Sequence, residues 1–141
     1  MKSPEKQVEE QIMAWAFRQN IVLWVFDSKG QFSESSNRYV KNQGIMKGCS
    51  DLLGLDRDGF FVAIELKAQK KGKVCRLEQR QFLERVIRQG GFGAVVDSPE
   101  AIAELYQGWA LLRQNRDSSV KFLLDSLPKK VLVNKKVLNL A

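Results

Sequence analysis

The feature that most constrains this chain is a pair of apolar segments separated by a tight turn sequence. The turn, at residues 56–59, ends in Asp58-Gly59, and an Asp-Gly pair between two strand-forming segments is a strong signal for a β-hairpin. We therefore predict that residues 52–55 fold back, antiparallel, on residues 60–67. Alternate residues of the second strand would form one apolar face: Phe60, Val62, Ile64 and Leu66.

The predicted hairpin brings two carboxylates together. With Leu55 opposite Phe60, Asp51 falls opposite Ile64 and therefore beside Glu65. Two adjacent carboxylates repel each other unless a proton or a cation lies between them. Their hard oxygen atoms favour Mg²⁺ or Mn²⁺, so the pair is a candidate metal site.

A lysine completes this candidate site. Lys67 follows Glu65 at the spacing that places two strand residues on one face, about 6–7 Å apart. Beside a metal ion, a lysine can hold the activated water or the negative charge that develops on a phosphate group. The three side chains thus suit phosphodiester hydrolysis. A Glu-x-Lys strand is common by itself, however, because exposed strand faces often alternate charge, and a solvated strand is the simpler interpretation.

Composition removes several other kinds of chemistry. The chain has 141 residues, enough for one compact domain, and contains no histidine, which excludes Ser-His-Asp and Cys-His catalysis. Its two cysteines, Cys49 and Cys75, are far apart in the sequence, which argues against a disulfide framework or a zinc knuckle. No apolar segment approaches the ~20 residues of a membrane span, and a signal-peptide core is missing. We therefore expect a cytoplasmic protein with no membrane partner.

The charge distribution favours a polyanionic partner. The net charge is +7, and a basic domain of this size favours a phosphate backbone as its partner, because binding releases counterions. A solvated basic surface is the alternative interpretation. Basic residues around the candidate site are the predicted DNA contacts: Lys47, Lys70, Lys71, Lys73, Arg76 and Arg80. A solvated loop is the alternative for the lysines at 70–73. A second basic group lies near the end of the chain: Lys129, Lys130, Lys135 and Lys136.

The remaining segments predict an α/β layer fold with a mixed sheet. Helices are predicted at 4–19, 77–89, from Ser98 onward and at 120–127; strands at 21–27 and 92–97; a polar loop at 28–36; and a short helix at 37–43. Residues 131–140 fit a hairpin, an edge strand or an arm on a partner. Within the 77–89 helix, Gln79 lies on the apolar face, where a primary amide is costly unless it meets a polar group, so we expect it to face the candidate site.

Taken together, these segments resemble a known nuclease family. The pattern is Gly44-x-x-x-Gly48-x-Ser50-Asp51-Leu52-Leu53, then Ile64-Glu65-Leu66-Lys67, then Glu78-Gln79 at a helix start, then Gly90-Gly91. It resembles the virus-type replication-repair nuclease domain, in its stand-alone phage and prophage form, over about residues 4–107. That domain belongs to the restriction-endonuclease-like superfamily, named for its Asp…(Asp/Glu)-x-Lys motif.

The resemblance implies a fold and a division of the chain. The expected fold has three layers, with a central mixed β-sheet flanked by helices. Residues 1–112 would form the nuclease domain, and residues 113–141 a C-terminal extension that packs on the domain or on a dimer partner. The expected location is the cytoplasm of a bacterium or of a phage-infected host cell.

The resemblance also implies roles for individual residues. Asp51 and Glu65 would bind one or two Mg²⁺ or Mn²⁺ ions, with the carbonyl oxygen of Leu66 as a further ligand. Lys67 would orient or activate the attacking water. Two further residues match family positions in the catalytic site: Gln79, at the start of the helix after the lysine strand, and Glu9, the acid of the first helix. Glu9 is also explained as an acid near a helix N-terminus, like Glu5 and Glu10.

Stand-alone members of this family are similar to Holliday-junction resolvases. The resemblance therefore implies a metal-dependent endonuclease, acting as a homodimer on branched DNA such as junctions or flaps. Two other interpretations stay open at this point. One is a non-catalytic nucleic-acid-binding module that keeps the fold and the basic surface. The other is a partner-binding accessory protein whose C-terminal arm carries the function.

Overall fold

The computed structural model describes residues 2–26, 31–33, 38–40, 48–68 and 74–140. Its helices are α1 (Pro4–Arg18), α2 (Leu77–Arg88), α3 (Pro99–Leu112) and α4 (Arg116–Ser126). Its strands are β1 (Val22–Val25), β2 (Gln31–Ser33), β3 (Arg38–Val40), β4 (Leu52–Leu55), β5 (Phe61–Leu66), β6 (Cys75–Arg76), β7 (Phe92–Val96), β8 (Lys130–Val133) and β9 (Lys136–Asn139). In this part of the chain, no helix is both long and apolar enough to cross a membrane.

The central sheet is mixed, which confirms the α/β class. Its strand order is β1-β4-β5-β7. The pairs β1–β4 and β4–β5 are antiparallel, and β5–β7 is parallel. A parallel pair needs a crossover connection, and α2 lies within that connection. The hairpin predicted from the Asp-Gly turn therefore forms the two middle strands of the sheet.

Helices cover both faces of this sheet. On one face, the ring of Phe92 packs edge-on against Tyr106 and Trp109 of α3, with centroids 5.4 and 5.5 Å apart. The next residue, Gly93, points to the other face, because neighbouring strand residues alternate. A Cβ atom at Gly93 would lie 3.1 Å from the side chain of Ile87, so α2 packs closely there. As a result, every residue of β5 after the first is buried.

The hairpin register differs from the prediction by one residue. Leu55 pairs with Phe61 rather than with Phe60, so the predicted register was wrong. Continuing the observed register by one position places Asp51 across from Glu65 itself. A shift of one residue moves a strand's side chains to the opposite face, and here it improves the alignment of the two acids.

The longer turn is held by a buried aspartate. The side chain of Asp56 accepts hydrogen bonds from the backbone N–H groups of Asp58 and Phe60, at 2.9 and 3.0 Å. It also accepts from the Tyr106 hydroxyl and from the Arg113 guanidinium, each at 2.8 Å. These contacts tie the β4–β5 turn to the end of α3 and leave Phe60 in the turn, outside the strand.

Two local predictions for residues 28–43 were wrong. Gln31–Ser33 and Arg38–Val40 form a short antiparallel pair, where a polar loop and a short helix were predicted. Arg38–Val40 contains an aromatic and a β-branched residue, which suit a strand. The rest of the predicted loop and helix lies outside the described residues.

The helix predictions at the start of the chain are confirmed. The Ser3 hydroxyl caps α1 by accepting a hydrogen bond from the backbone N–H of Lys6 at 3.2 Å, and Pro4 opens the helix, a position where its missing N–H is harmless. The predicted apolar stripe is buried: Val8, Ile12, Trp15 and Ala16.

The C-terminal residues pack on the same core. Leu123, Leu127 and Val131 are all buried. Strands β8 and β9 form a hairpin through Asn134-Lys135, whose φ angles of 49° and 64° suit a type I′ turn. Of the options left open for residues 131–140, the structure shows the hairpin. Strand β8 also pairs in parallel with β6, directly before α2.

Candidate metal centre

Asp51 is fixed by backbone groups of both neighbouring strands. It lies directly before β4, and its carbonyl oxygen accepts a hydrogen bond from the N–H of Phe26 at 2.8 Å. Its carboxylate atom Oδ2 accepts a hydrogen bond from the N–H of Leu66 at 2.9 Å. The side chain is therefore held against the end of β5, next to Glu65.

Glu65 is a buried acid with one unsatisfied oxygen. The residue is 3% exposed, and its Oε1 accepts a hydrogen bond from Nε2 of Gln79 at 2.6 Å. Its Oε2 is buried and receives no hydrogen bond in the described part of the chain. Burial first, and then the charge and carboxylate contact of Asp51, raise the pKa of Glu65 to about 8, while the charge of Lys67 lowers it. A cation would satisfy both acids.

Gln79 links Glu65 to the start of α2. It is the third residue of the helix and is 7% exposed. Its Oε1 accepts a hydrogen bond from the N–H of Arg76, the N-cap residue, at 2.9 Å. With its amide nitrogen bonded to Glu65, both ends of the side chain are used. The expectation that this amide faces a polar group is confirmed.

Lys67 follows β5 immediately and is half-buried. Its backbone N–H donates to the carbonyl of Val96 at 2.9 Å. Its ammonium lies close enough to Glu65 to lower the pKa of that acid. Burial raises the pKa of the nearby Cys75 thiol, which the charges of Lys67 and Glu65 also influence. Sequence reasoning did not place Cys75 here, because its position depends on the distant pairing of β6 with β8.

The turn before Asp51 packs against the first turn of α2. Gly48 has φ +86°, and a Cβ atom there would clash with the carbonyl oxygen of Glu78, so only glycine fits. Ser50 is buried, and its hydroxyl has no hydrogen-bond partner among the described residues. The glycine thus lets the segment that carries Asp51 approach the helix that carries Gln79.

The structure does not assemble Glu9 with the two strand acids. The Glu9 carboxylate accepts a hydrogen bond from the ammonium of Lys6 at 2.6 Å, and Glu10 pairs with Lys2 at 2.7 Å. Within the ranges given above, no group of three or more histidine, cysteine, aspartate or glutamate side chains could hold a metal ion. The pair of Asp51 and Glu65 is therefore the acidic part of the candidate site.

The predicted DNA contacts divide into three groups. Arg76 is exposed beside the site. Arg80 is 9% exposed; its guanidinium donates to the carbonyl of Pro128 at 2.5 Å and pairs with Glu84 at 3.0 Å. Arg80 therefore joins α2 to the C-terminal segment rather than presenting its charge to solvent. The other predicted contacts lie outside the described residues: Lys47, Lys70, Lys71 and Lys73.

In comparisons with known proteins, no family model, no curated protein and no solved structure matches the chain. Two carboxylates meet at the ends of neighbouring strands, an ammonium lies beside them, and one buried carboxylate oxygen has no donor. This arrangement can bind a divalent cation and place it next to a positive side chain.

Proposed function

We propose that the chain is a metal-dependent deoxyribonuclease that hydrolyses phosphodiester bonds. The observation that carries this proposal is the unsatisfied buried oxygen of Glu65 beside the carboxylate of Asp51. An isolated buried acid is costly, whereas a shared divalent cation would replace the proton and satisfy both groups. The chain's three-layer arrangement and its basic charge support the same proposal.

The residues present fit an oxygen-bound ion such as Mg²⁺ or Mn²⁺. Asp51 and Glu65 would hold it, together with the carbonyl of Leu66. The peptide unit between Leu66 and Lys67 supports that third ligand. Its N–H points to Val96 of β7, and in a trans peptide the carbonyl points the opposite way, toward the side of Asp51. When bound, such an ion would polarise a phosphate and lower the pKa of a water molecule.

The chain's own residues would supply orientation and positive charge. The hydrogen bond from Gln79 fixes one oxygen of Glu65, at 2.6 Å, and the N–H of Leu66 fixes Asp51. Lys67 would place its ammonium where negative charge builds on the phosphate oxygens, a stabilisation that grows in the transition state. By resemblance, we extend the proposal to a restriction-endonuclease-like fold and to a homodimer that cuts two strands of branched DNA.

The test is cleavage of labelled four-way junction, flap and linear duplex DNA in Mg²⁺, in Mn²⁺ and in EDTA. We expect cleavage with either metal and none in EDTA. Glu65→Gln should abolish it, and Lys67→Ala should slow it by about 100-fold. Glu100→Gln, an exposed acid at the start of α3, is the matched control and should cut like the parent.

Equal cleavage by Glu65→Gln and the parent would overturn the proposal, since the activity would then belong to another site or to a contaminant. DNA binding that depends on salt, with no cleavage in any metal, would identify the non-catalytic binding module instead.

A further inference from the structure

We propose that the β8–β9 hairpin is a DNA-binding arm that contacts the phosphate backbone beside the candidate metal centre. This inference rests on the proposed function, since it assigns the arm to the same substrate.

The hairpin is anchored along one face. Val131 of β8 pairs with Cys75 of β6, and these residues are 0% and 1% exposed. Just before β8, the carbonyl of Pro128 accepts the hydrogen bond from the buried Arg80 of α2. The type I′ turn fixes the far end of the hairpin. The arm is therefore ordered before any ligand binds, which lowers the entropy cost of binding.

The hairpin lies next to the candidate centre. Leu132 of β8 pairs with Arg76 of β6. The N–H of Arg76 bonds to Gln79, and Gln79 bonds to Glu65. Two hydrogen bonds thus connect β6, the strand that pairs with the arm, to Glu65, the candidate metal ligand. A DNA strand that leaves the centre along this flank of α2 would contact the arm.

The opposite face of the three-stranded sheet is exposed and cationic. The observed register aligns Arg76, Leu132 and Val137 on this face, and Lys130 joins them by strand alternation. Leu132 is 36% exposed and Val137 is 56% exposed. Two cations thus lie next to Leu132, Arg76 on the neighbouring strand and Lys130 on the same strand. Cations of this kind suit phosphate oxygens, and small apolar side chains suit the sugars between them.

All charged side chains of the arm are positive. Residues 129–140 contain no acid, and all four of their lysines are exposed: Lys129, Lys130, Lys135 and Lys136. None of the four forms an ion pair with another described residue. A two-stranded β-ribbon also has the width to enter the major groove of duplex DNA. These features favour a nucleic-acid backbone over a mixed-charge protein surface.

The test compares two variants with equal net charge. The arm variant carries Ala at four positions: Lys129, Lys130, Lys135 and Lys136. The control carries Ala at four exposed basic positions elsewhere: Lys2, Arg18, Arg57 and Lys121. Both are made in the Glu65→Gln background, and binding to a fluorescent 30-base-pair duplex is measured in EDTA between about 50 and 300 mM salt.

We expect the arm variant to bind at least about tenfold more weakly at ~0.1 M salt, with a slope of log K against log salt that is lower by about 2–4 units. The control should change the slope by less than one unit. Equal behaviour of the two variants would overturn the inference. A melting curve checks folding, and the single variant Lys130→Glu, which should weaken binding by itself, replaces the quadruple variant if that one does not fold.

The two proposals fail in different ways. Arm-dependent binding by a parent protein that never cuts DNA would sustain this inference and overturn the nuclease. Metal-dependent cleavage by a protein whose DNA binding is unchanged in the arm variant would sustain the nuclease and overturn this inference.

Discussion

The β4–β5 hairpin contains a buried acid at each end, and the pKa values of the two acids are shifted in opposite directions. Asp56, in the turn, is 5% exposed, and Glu65, at the far end of β5, is 3% exposed. Burial would raise the pKa of Asp56, but hydrogen bonds from Phe60, Tyr106, Arg113 and Asp58 together lower it. Burial and the neighbouring Asp51 raise the pKa of Glu65 to about 8. Two acids of low exposure thus show opposite shifts, because Asp56 has several donors, whereas Glu65 is more strongly desolvated and lies beside a second carboxylate.

This difference separates an acid that is complete within the fold from an acid that is a candidate for binding a cation. A carboxylate surrounded by donors is complete without a ligand and serves the fold. A carboxylate beside a second carboxylate, with one oxygen unsatisfied, is complete only with a proton or a cation. Four predictions test or refine this contrast, from the largest expected effect to the smallest.

The first concerns Asp56. Asp56→Asn should lower the free energy of unfolding by about 3–5 kcal/mol, because it leaves the Arg113 guanidinium without its buried counter-charge. Asp58→Asn is the matched control, since Asp58 pairs with the same arginine but its side chain is 50% exposed; its cost should stay below about 1 kcal/mol. Urea unfolding at pH 7 measures both. Equal costs would show that burial of Asp56 does not matter.

The second prediction concerns Glu65 without metal. Folding raises the pKa of Glu65 from 4.5 to about 8. Between these two pH values the folded state keeps the proton on Glu65, whereas the unfolded state has released it. Stability in EDTA should therefore fall as the pH rises from 5 to 8, by about 2–4 kcal/mol. Glu65→Gln should remove most of this slope and be the more stable protein at pH 9. A parent protein whose stability does not change between pH 5 and 8 would contradict the raised pKa of Glu65.

The third prediction concerns metal. Mg²⁺ at 100 times its dissociation constant should stabilise the parent protein by about 2.7 kcal/mol. The same addition should leave Glu65→Gln nearly unchanged, whereas Asp58→Asn should respond like the parent. Thermal melting with and without EDTA measures the shift. An equal response of Glu65→Gln would place the metal elsewhere.

The fourth prediction concerns Tyr106. Burial and the hydrogen bond to Asp56 raise the pKa of Tyr106 to about 12, so its hydroxyl stays a donor at neutral pH. Tyr106→Phe removes one of several donors to Asp56 and should cost about 1–2 kcal/mol. The stability lost on acidification below pH 4 should become smaller and should be complete at a higher pH, because the pKa of Asp56 in the folded state would be less depressed below its unfolded value. Urea unfolding between pH 3 and 7 measures both effects.

The parts of the fold that sequence reasoning found are those with local signals. The hairpin follows from the Asp58-Gly59 turn, and Gly59 does adopt a positive φ of 85°. Gln79 was located by helical periodicity within α2. The hairpin register was missed in part because Asp56, besides its local backbone donors, is held by Tyr106 and Arg113, which lie 50 and 57 residues further along the chain. No pattern near the turn indicates those partners.

The site was predictable to a similar extent. The convergence of Asp51 with Glu65 followed from the hairpin alone, since it needed no distant contact. The surroundings of Arg80 and Cys75 did not follow from the hairpin. Arg80 bonds to the segment just before β8, and Cys75 pairs with β8 itself. Glu9 was placed by resemblance and by helix face, and its observed partner is the neighbouring Lys6. The metal ion, the DNA substrate and the dimer stay predictions.

The parallel pairing of β6 with β8 has a consequence for the order in which the protein matures during synthesis. Cys75 and Arg76 find their strand partners only when residues 131 and 132 have left the ribosome. A nascent chain that stops earlier keeps the two acids of the hairpin but lacks the flank that steadies the first turn of α2. The centre is thus expected to become competent only after residues 131 and 132 have emerged from the ribosome.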